Sequence, residues 1–158
     1  MEILERMLIY TSYFYNIRFF KPHQIPVSTA VWDPKWFHEG LGQDHIWKDK
    51  NGVWNGIRAG ELNPESCHSS GCPCLEKNYE TCKFLKEYRE GLRKLDFEQL
   101  LKDLTKLGEV IKEQEGFEEE PEIILIVHEA TNNPCSERVP LQELFKEHDI
   151  EVLEWKSV

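Results

Sequence analysis

The sequence predicts an α/β fold, a small Rossmann-like domain of three layers with a mostly parallel sheet. Short apolar segments alternate with segments of helical period, which is the order of strands and helices in a parallel sheet covered by helices. The apolar run Ile123–Val127 has no polar alternation and suits a strand buried on both faces. A length of 158 residues favours one domain, residues 1–158, and 40% hydrophobic residues suffice for a core.

The predicted strands are short. The first covers Met7–Thr11 and the second covers Ile25–Ala30, while Ile123–Val127 is the strongest of them. The segment Ile150–Trp155 alternates apolar and polar residues, which suits an edge or near-edge position.

The predicted helices fill the spaces between these strands. Residues 83–95 carry apolar residues on one helical face. Asp96 caps a second helix over 97–111, with Gln99 at the capping-box position. A third helix covers 141–148.

Residues 31–82 are predicted to be an insertion. Its first part, 31–64, is rich in Trp, Gly, Asp, Asn and Pro and is too long for an idle connection. Tryptophans near basic residues can stack a planar base and hold its phosphate, so Trp36 and Arg58 are predicted to bind ligand. At least half of the aromatic rings are expected to fill core space instead.

The second part of the insertion carries four of the five cysteines in the pattern C-H-x3-C-x-C-x7-C. Four thiolates can close a tetrahedral shell around Zn2+, and such a site would be structural because it leaves no open position. The predicted ligands are Cys67, Cys72, Cys74 and Cys82, with His68 as the alternative to one of them. The other interpretation is free thiols or a redox-sensitive pair.

The charge balance limits the partners. Asp and Glu number 29 against 19 Lys and Arg, a net charge of -10, which opposes a nucleic-acid backbone or an anionic membrane as the main partner. No apolar run is long enough to span a bilayer, and the N-terminal segment lacks the features of a secretory signal. We therefore expect a cytoplasmic protein whose cysteines serve metal or thiol chemistry.

The window 123–145 reads as strand, loop and helix, and ligands of open α/β sheets bind where strands end. Glu129 follows the strand and is predicted to bond a ligand hydroxyl or act as general acid or base. Cys135 precedes a helix N-terminus, whose N–H groups form an anion site together with Arg138 and favour a thiolate. Alternatively, Cys135 packs as a small apolar group and Arg138 forms a surface pair with Glu137.

The ends of the first two strands supply the other candidate contacts, Ser12, Tyr13 and Ser28. Ser12 is expected to face the same crevice as Glu129. Helix capping is the alternative role for Ser12.

Several segments carry a family likeness. These are TSYFYNIRFF, IPVS, DPKWF, WNGIRAGELNP, CKFLKEYREGLRKLDFEQLLKDL and ILIVHEATNNPCSER. Over nearly the whole chain, and in the same order, they resemble the domain of unknown function 488 family of bacteria and phages. Many members have Cys-His-Arg where this chain has Cys135-Ser136-Glu137-Arg138, so a reaction that needs that histidine would require a substitute such as His128. The resemblance implies a Rossmann-like fold and no established activity.

The sequence favours one function and leaves others open. We expect a small anionic metabolite, nucleoside- or nucleotide-like, across the carboxyl ends of the strands, with or without a reaction on it. Arg58 and Arg138 would hold its charge. The alternative is a non-enzymatic module that contains structural zinc and binds a protein partner as a phage or host regulatory factor. DNA binding through the cysteine segment is the last alternative, and the net charge opposes it.

Overall fold

The computed structural model describes residues 8–21, 23–29, 62, 83–127 and 138–155. Within these residues, an all-parallel sheet and three α-helices follow one another along the chain. The strands are β1 (Leu8–Tyr13), β2 (Gln24–Ser28), β3 (Glu122–Val127) and β4 (Leu153–Glu154). The helices are α1 (Lys83–Leu92), α2 (Phe97–Glu115) and α3 (Arg138–Glu147), and a 3₁₀ helix, Phe14–Phe19, follows β1 directly.

The strand order is β2-β3-β1-β4, and every pair is parallel. The apolar run Ile123–Val127 lies in β3, between two neighbours, and none of its residues is exposed. The prediction of a buried parallel strand is therefore confirmed. β4 pairs with β1 at the edge of the sheet, as the alternating sequence of its segment predicts.

The two faces of the sheet are covered differently. All three α-helices pack on the face that carries Ile123, Leu125 and Val127, and they form the larger core there. The opposite face, with Ile124 and Ile126, packs against the 3₁₀ helix and Trp155. The result is the predicted three-layer α/β architecture, with a thin second covering layer in the described part of the chain.

Helix α2 begins and ends at recognisable caps. Asp96 accepts a hydrogen bond from the backbone N–H of Gln99 at 3.2 Å, which confirms the predicted N-cap. The side-chain amide of Gln99 donates to Asp103. Gly116 ends the helix in the left-handed region, with φ of 75°, and its N–H donates to the carbonyl of Lys112.

Helix α3 begins at Arg138, three residues before the predicted start at residue 141. Pro140 is its third residue, where the missing N–H removes no intrahelical hydrogen bond. Two ion pairs tie this helix to α1 and to the residue that follows it: Arg89 Nε lies 3.0 Å from Glu143, and Arg93 Nη2 lies 2.9 Å from Glu147. The ion pairs fix α3 along α1, with its first turn at the end of the sheet.

One residue of the predicted insertion lies within the described part of the chain. Leu62 is fully buried in the larger core, and its carbonyl accepts a hydrogen bond from the buried hydroxyl of Tyr88. No helix in the described ranges is both long and apolar enough to cross a membrane.

Candidate functional site

The buried polar and charged side chains of the described residues gather at one edge of the sheet. They are Thr11, Ser12, Ser28, Thr29 and Arg138, and none is more than 6% exposed. They come from the carboxyl ends of β1 and β2 and from the first residue of α3. Ligands of open α/β folds bind at this edge, so the sheet concentrates its buried hydrogen-bonding groups where a ligand site is expected.

Arg138 and Glu154 form a buried ion pair in this cluster. The Nε of Arg138 donates to Glu154 Oε1 at 2.8 Å, and Nη2 donates to Oε2 at 3.4 Å. Their side chains are only 8% and 14% exposed. A pair this far from water is retained because charge-assisted hydrogen bonds offset part of the desolvation cost of both ions.

Two neutral side chains of the described residues extend the network around Glu154. Thr11 donates its hydroxyl to Glu154 Oε1 at 2.8 Å, and Gln142 donates its amide N–H to the Thr11 oxygen at 2.7 Å. The network thus connects the end of β1, the edge strand β4 and the first two turns of α3. Arg138 lies at the predicted edge, and its guanidinium already binds a carboxylate of its own chain.

Ser12 and Ser28 lie at the same level on the opposite face. Both are paired in register with Ile126, which lies between them on β3. Two strand spacings separate their Cα atoms by about 10 Å. Both side chains are fully buried, and Ser12 Oγ accepts a hydrogen bond from Asn16 Nδ2 at 2.9 Å. The cap of the 3₁₀ helix is Tyr13, so Ser12 is tied to that helix by a side chain rather than by capping it.

The polar side chains at the end of β1 therefore lie on both faces of the sheet. Thr11 contacts helix α3 on one face, whereas Ser12 contacts the 3₁₀ helix on the other. Successive side chains of a strand point to opposite faces, so neighbours on β1 cannot share one wall. A ligand that touches both must lie across the edge.

Aromatic rings lead outward from the ion pair. The guanidinium carbon of Arg138 lies 5.9 Å from the ring centroid of Tyr13. The Tyr13 and Tyr15 rings are nearly parallel, with centroids 6.5 Å apart, and Phe19 meets Tyr15 edge-on at 5.9 Å. Tyr13 is half-buried, whereas Tyr15 and Phe19 are about half exposed. We call Tyr13, Tyr15 and Phe19 the aromatic strip.

A second, more exposed polar cluster lies at the amino edge of the sheet. Glu122 accepts a hydrogen bond from Gln24 Nε2 at 3.2 Å, and its other carboxylate oxygen lies 3.5 Å from His23 Nε2. Burial, and secondly the negative charge of Glu122, raises the pKa of Tyr10 above its ordinary value. This edge is not where α/β folds place ligands.

The remaining predicted site residues lie outside the described residues. They are Trp36, Arg58, Glu129, Cys135 and the proposed metal ligands Cys67, Cys72, Cys74 and Cys82, with the alternative ligand His68. In the described ranges, no group of three or more His, Cys, Asp or Glu side chains could hold a metal ion.

The sequence interpretation missed two residues of the network, Glu154 and Gln142. Glu154 stands in an alternating segment, where an acidic residue is typical of a solvent-facing position. Gln142 and its partner Thr11 are 131 positions apart. The only available signal was Arg138 itself, since a buried arginine requires an anionic or hydrogen-bonded partner.

Comparison of the chain with protein-family models, with curated proteins and with solved structures gave no significant match. The resemblance to the domain of unknown function 488 family therefore stays a prediction from the motifs quoted above.

Proposed function

We propose that the carboxyl edge of this sheet binds a small anionic ligand of the nucleoside or nucleotide kind. The observation that carries the proposal is the gathering of the buried polar side chains of the described residues at this one edge of an all-parallel sheet. Burying polar side chains costs free energy, and an edge that served only the stability of the fold could carry apolar residues without that cost. A ligand site is the usual reason for such a concentration.

The anionic class follows from the charges near this edge. The chain has a net charge of -10, so its general field repels anions and only a local cation can hold one. Arg138 supplies that cation at the first residue of α3, where the first-turn N–H groups have no intrahelical acceptors. Arg58 and Glu129 are proposed to add a second cation and a hydroxyl-binding carboxylate. Cys135 is proposed to lie beside them.

The aromatic strip supports a ligand that contains a planar ring. Its rings begin next to the guanidinium of Arg138 and become more exposed along the 3₁₀ helix. Tyrosine rings bind planar groups by stacking, at a small entropic cost because they have few rotatable bonds. An oxyanion near Arg138 and a base on Tyr15 would together match a nucleotide, with Trp36 as the predicted second stacking ring.

A thermal-shift panel tests this proposal. The panel contains a purine nucleotide, a pyrimidine nucleotide, ribose 5-phosphate, adenosine and inorganic phosphate. Ligands that bind the folded state raise the Tm in proportion to RT ln(1 + [L]/Kd), and we expect the nucleotides to raise it most. A panel in which no anionic ligand raises the Tm would remove the proposal.

Matched variants locate the binding edge. Thr11→Val disturbs the network at the carboxyl edge, and we expect it to weaken nucleotide binding at least several-fold. Thr105→Val is the control, because the buried Thr105 hydroxyl on α2 has no hydrogen-bond partner among the described residues, so the substitution removes no hydrogen bond there. Equal nucleotide affinity in the two variants would place binding away from this edge.

A further inference from the structure

We propose that Arg138 and Thr11 form an oxyanion site that Glu154 fills with its own carboxylate, so that a ligand binds by exchanging its carboxylate or phosphate for that of Glu154. The exchange in the native chain rests on the proposed function. The oxyanion site itself can be tested without any nucleotide.

Donors converge on the carboxylate of Glu154 from two elements. Arg138 Nε and Thr11 Oγ1 each lie 2.8 Å from Oε1, and Arg138 Nη2 lies 3.4 Å from Oε2. Gln142 donates to the Thr11 oxygen, so the hydroxyl hydrogen of Thr11 is directed at Glu154. The donors are held by β1 and α3, both of which pack on the central part of the fold.

Burial means that this site requires an anion. The Arg138 side chain is only 8% exposed, and an unpaired buried guanidinium would be strongly destabilising. Exchange of one oxyanion for another leaves the guanidinium with an oxyanion partner both before and after the step. The site is therefore better suited to exchange than to simple loss of Glu154.

Glu154 is the partner that can leave. β4 has only two residues, lies at the edge and pairs with β1 alone in the described sheet. Beyond the strand, the Trp155 N–H donates to the carbonyl of Thr11 at 2.8 Å. By contrast, β1 is paired along six residues with β3. A change at β4 consequently costs fewer backbone hydrogen bonds than a change at any other strand of this sheet.

The tether also makes the site selective. Glu154 is held at a high effective concentration, so a free monovalent anion at millimolar concentration cannot displace it. A successful ligand needs further contacts, and the aromatic strip begins within 5.9 Å of the guanidinium carbon. Glu154 thus sets a minimum number of contacts that a ligand must make.

Chemical rescue of Glu154→Ala tests the site. We expect this variant to have a lower Tm than the native chain, and formate, acetate or phosphate to raise that Tm saturably, by several degrees more than chloride at equal ionic strength. The matched control is Glu147→Ala, which breaks the exposed pair with Arg93. Native protein and control should respond equally to formate and chloride. An equal response of Glu154→Ala to the two salts would overturn the proposal.

A second variant covers the case in which Glu154→Ala does not fold. Glu154→Gln keeps the shape and an acceptor oxygen but removes the charge. We expect formate to shift the Arg138 Nε–H resonance of this variant, while the native resonance stays unchanged. An unchanged resonance in both proteins would overturn the proposal.

The two proposals fail in different ways. Rescue by formate without any nucleotide binding would retain the oxyanion site and remove the proposed function. Nucleotide binding by the native chain without rescue of either variant would retain the proposed function and remove the role of Glu154.

Discussion

Thr11 and Glu154 lie opposite each other in the parallel register of β1 and β4, and their side chains are hydrogen-bonded at 2.8 Å. A hydrogen bond thereby links two residues that are 143 positions apart in the sequence. The same carboxylate accepts a hydrogen bond from Arg138 at the start of α3. Three elements meet at this carboxylate. Their arrangement at the carboxyl edge can be tested by stability measurements as well as by binding.

Replacement of Thr11 by valine should lower the free energy of unfolding by about 1–3 kcal/mol. The substitution removes the hydroxyl that joins Gln142 to Glu154 and leaves two partly buried polar groups without that partner. Urea denaturation measures the loss. Thr105→Val should change stability much less, because the Thr105 hydroxyl makes no hydrogen bond within the described ranges. A loss of similar size in Thr105→Val would point to a general effect of the substitution.

The ion pair between Arg138 and Glu154 should show strong coupling. Either Arg138→Leu or Glu154→Leu alone leaves a buried charge and should cost about 3–5 kcal/mol, whereas the double variant should cost much less than the sum. A double-mutant cycle from denaturant curves measures this. The same cycle on the exposed pair of Arg93 and Glu147 should give a coupling of about 0–1 kcal/mol, and equal couplings for the two pairs would contradict the burial argument.

Alkaline pH should destabilise the protein in part through Tyr10. Burial, with a smaller contribution from Glu122, raises the pKa of its phenol above the ordinary 10.0, so the folded state holds this proton more tightly than the unfolded state. The resulting stabilisation is complete below the unfolded-state pKa and is lost as pH rises through the folded-state pKa. Tyr10→Phe should therefore lose less stability than the native chain as the pH is raised above 10.0 in denaturant titrations. Identical pH profiles would show that Tyr10 contributes nothing.

Zinc content tests the cysteine pattern of the insertion. If Cys67, Cys72, Cys74 and Cys82 bind Zn2+, elemental analysis of purified protein should find about one zinc per chain, and a chelator should lower the Tm. Cys72→Ser should reduce the zinc content. Cys135→Ser is the matched control and should retain the zinc. A native protein that contains no zinc would contradict the prediction.

Local patterns were enough to predict the elements of the sheet. The run Ile123–Val127 lacks alternation because β3 is covered on both faces, and Asp96 caps α2 through a contact only three residues away. These are local or nearest-neighbour effects. The position of Ser12 and Ser28 at one edge also follows directly from parallel pairing with β3.

The partner of Arg138 could not be predicted in the same way. Side chains alternate between the two faces of a strand, so either Thr11 or Ser12 could face the helical layer. Which of them does so depends on the face to which the connections bring the helices. Glu154 stands at a position in the sequence where polar residues are usually exposed to solvent, yet in the structure it contacts Arg138 of α3. Such contacts arise only when distant segments pack together.

Leu62 has a consequence for chain topology. Its side chain is in the core and its carbonyl accepts a hydrogen bond from Tyr88, so position 62 of the chain is fixed to the body of the domain. The entropy lost when two points of a chain are brought together grows with the number of residues between them, so a fixed residue 62 replaces one long interval, from 29 to 83, by two shorter ones. A substitution in the sequence before Leu62 is thus separated from a substitution after it by a residue anchored in the core.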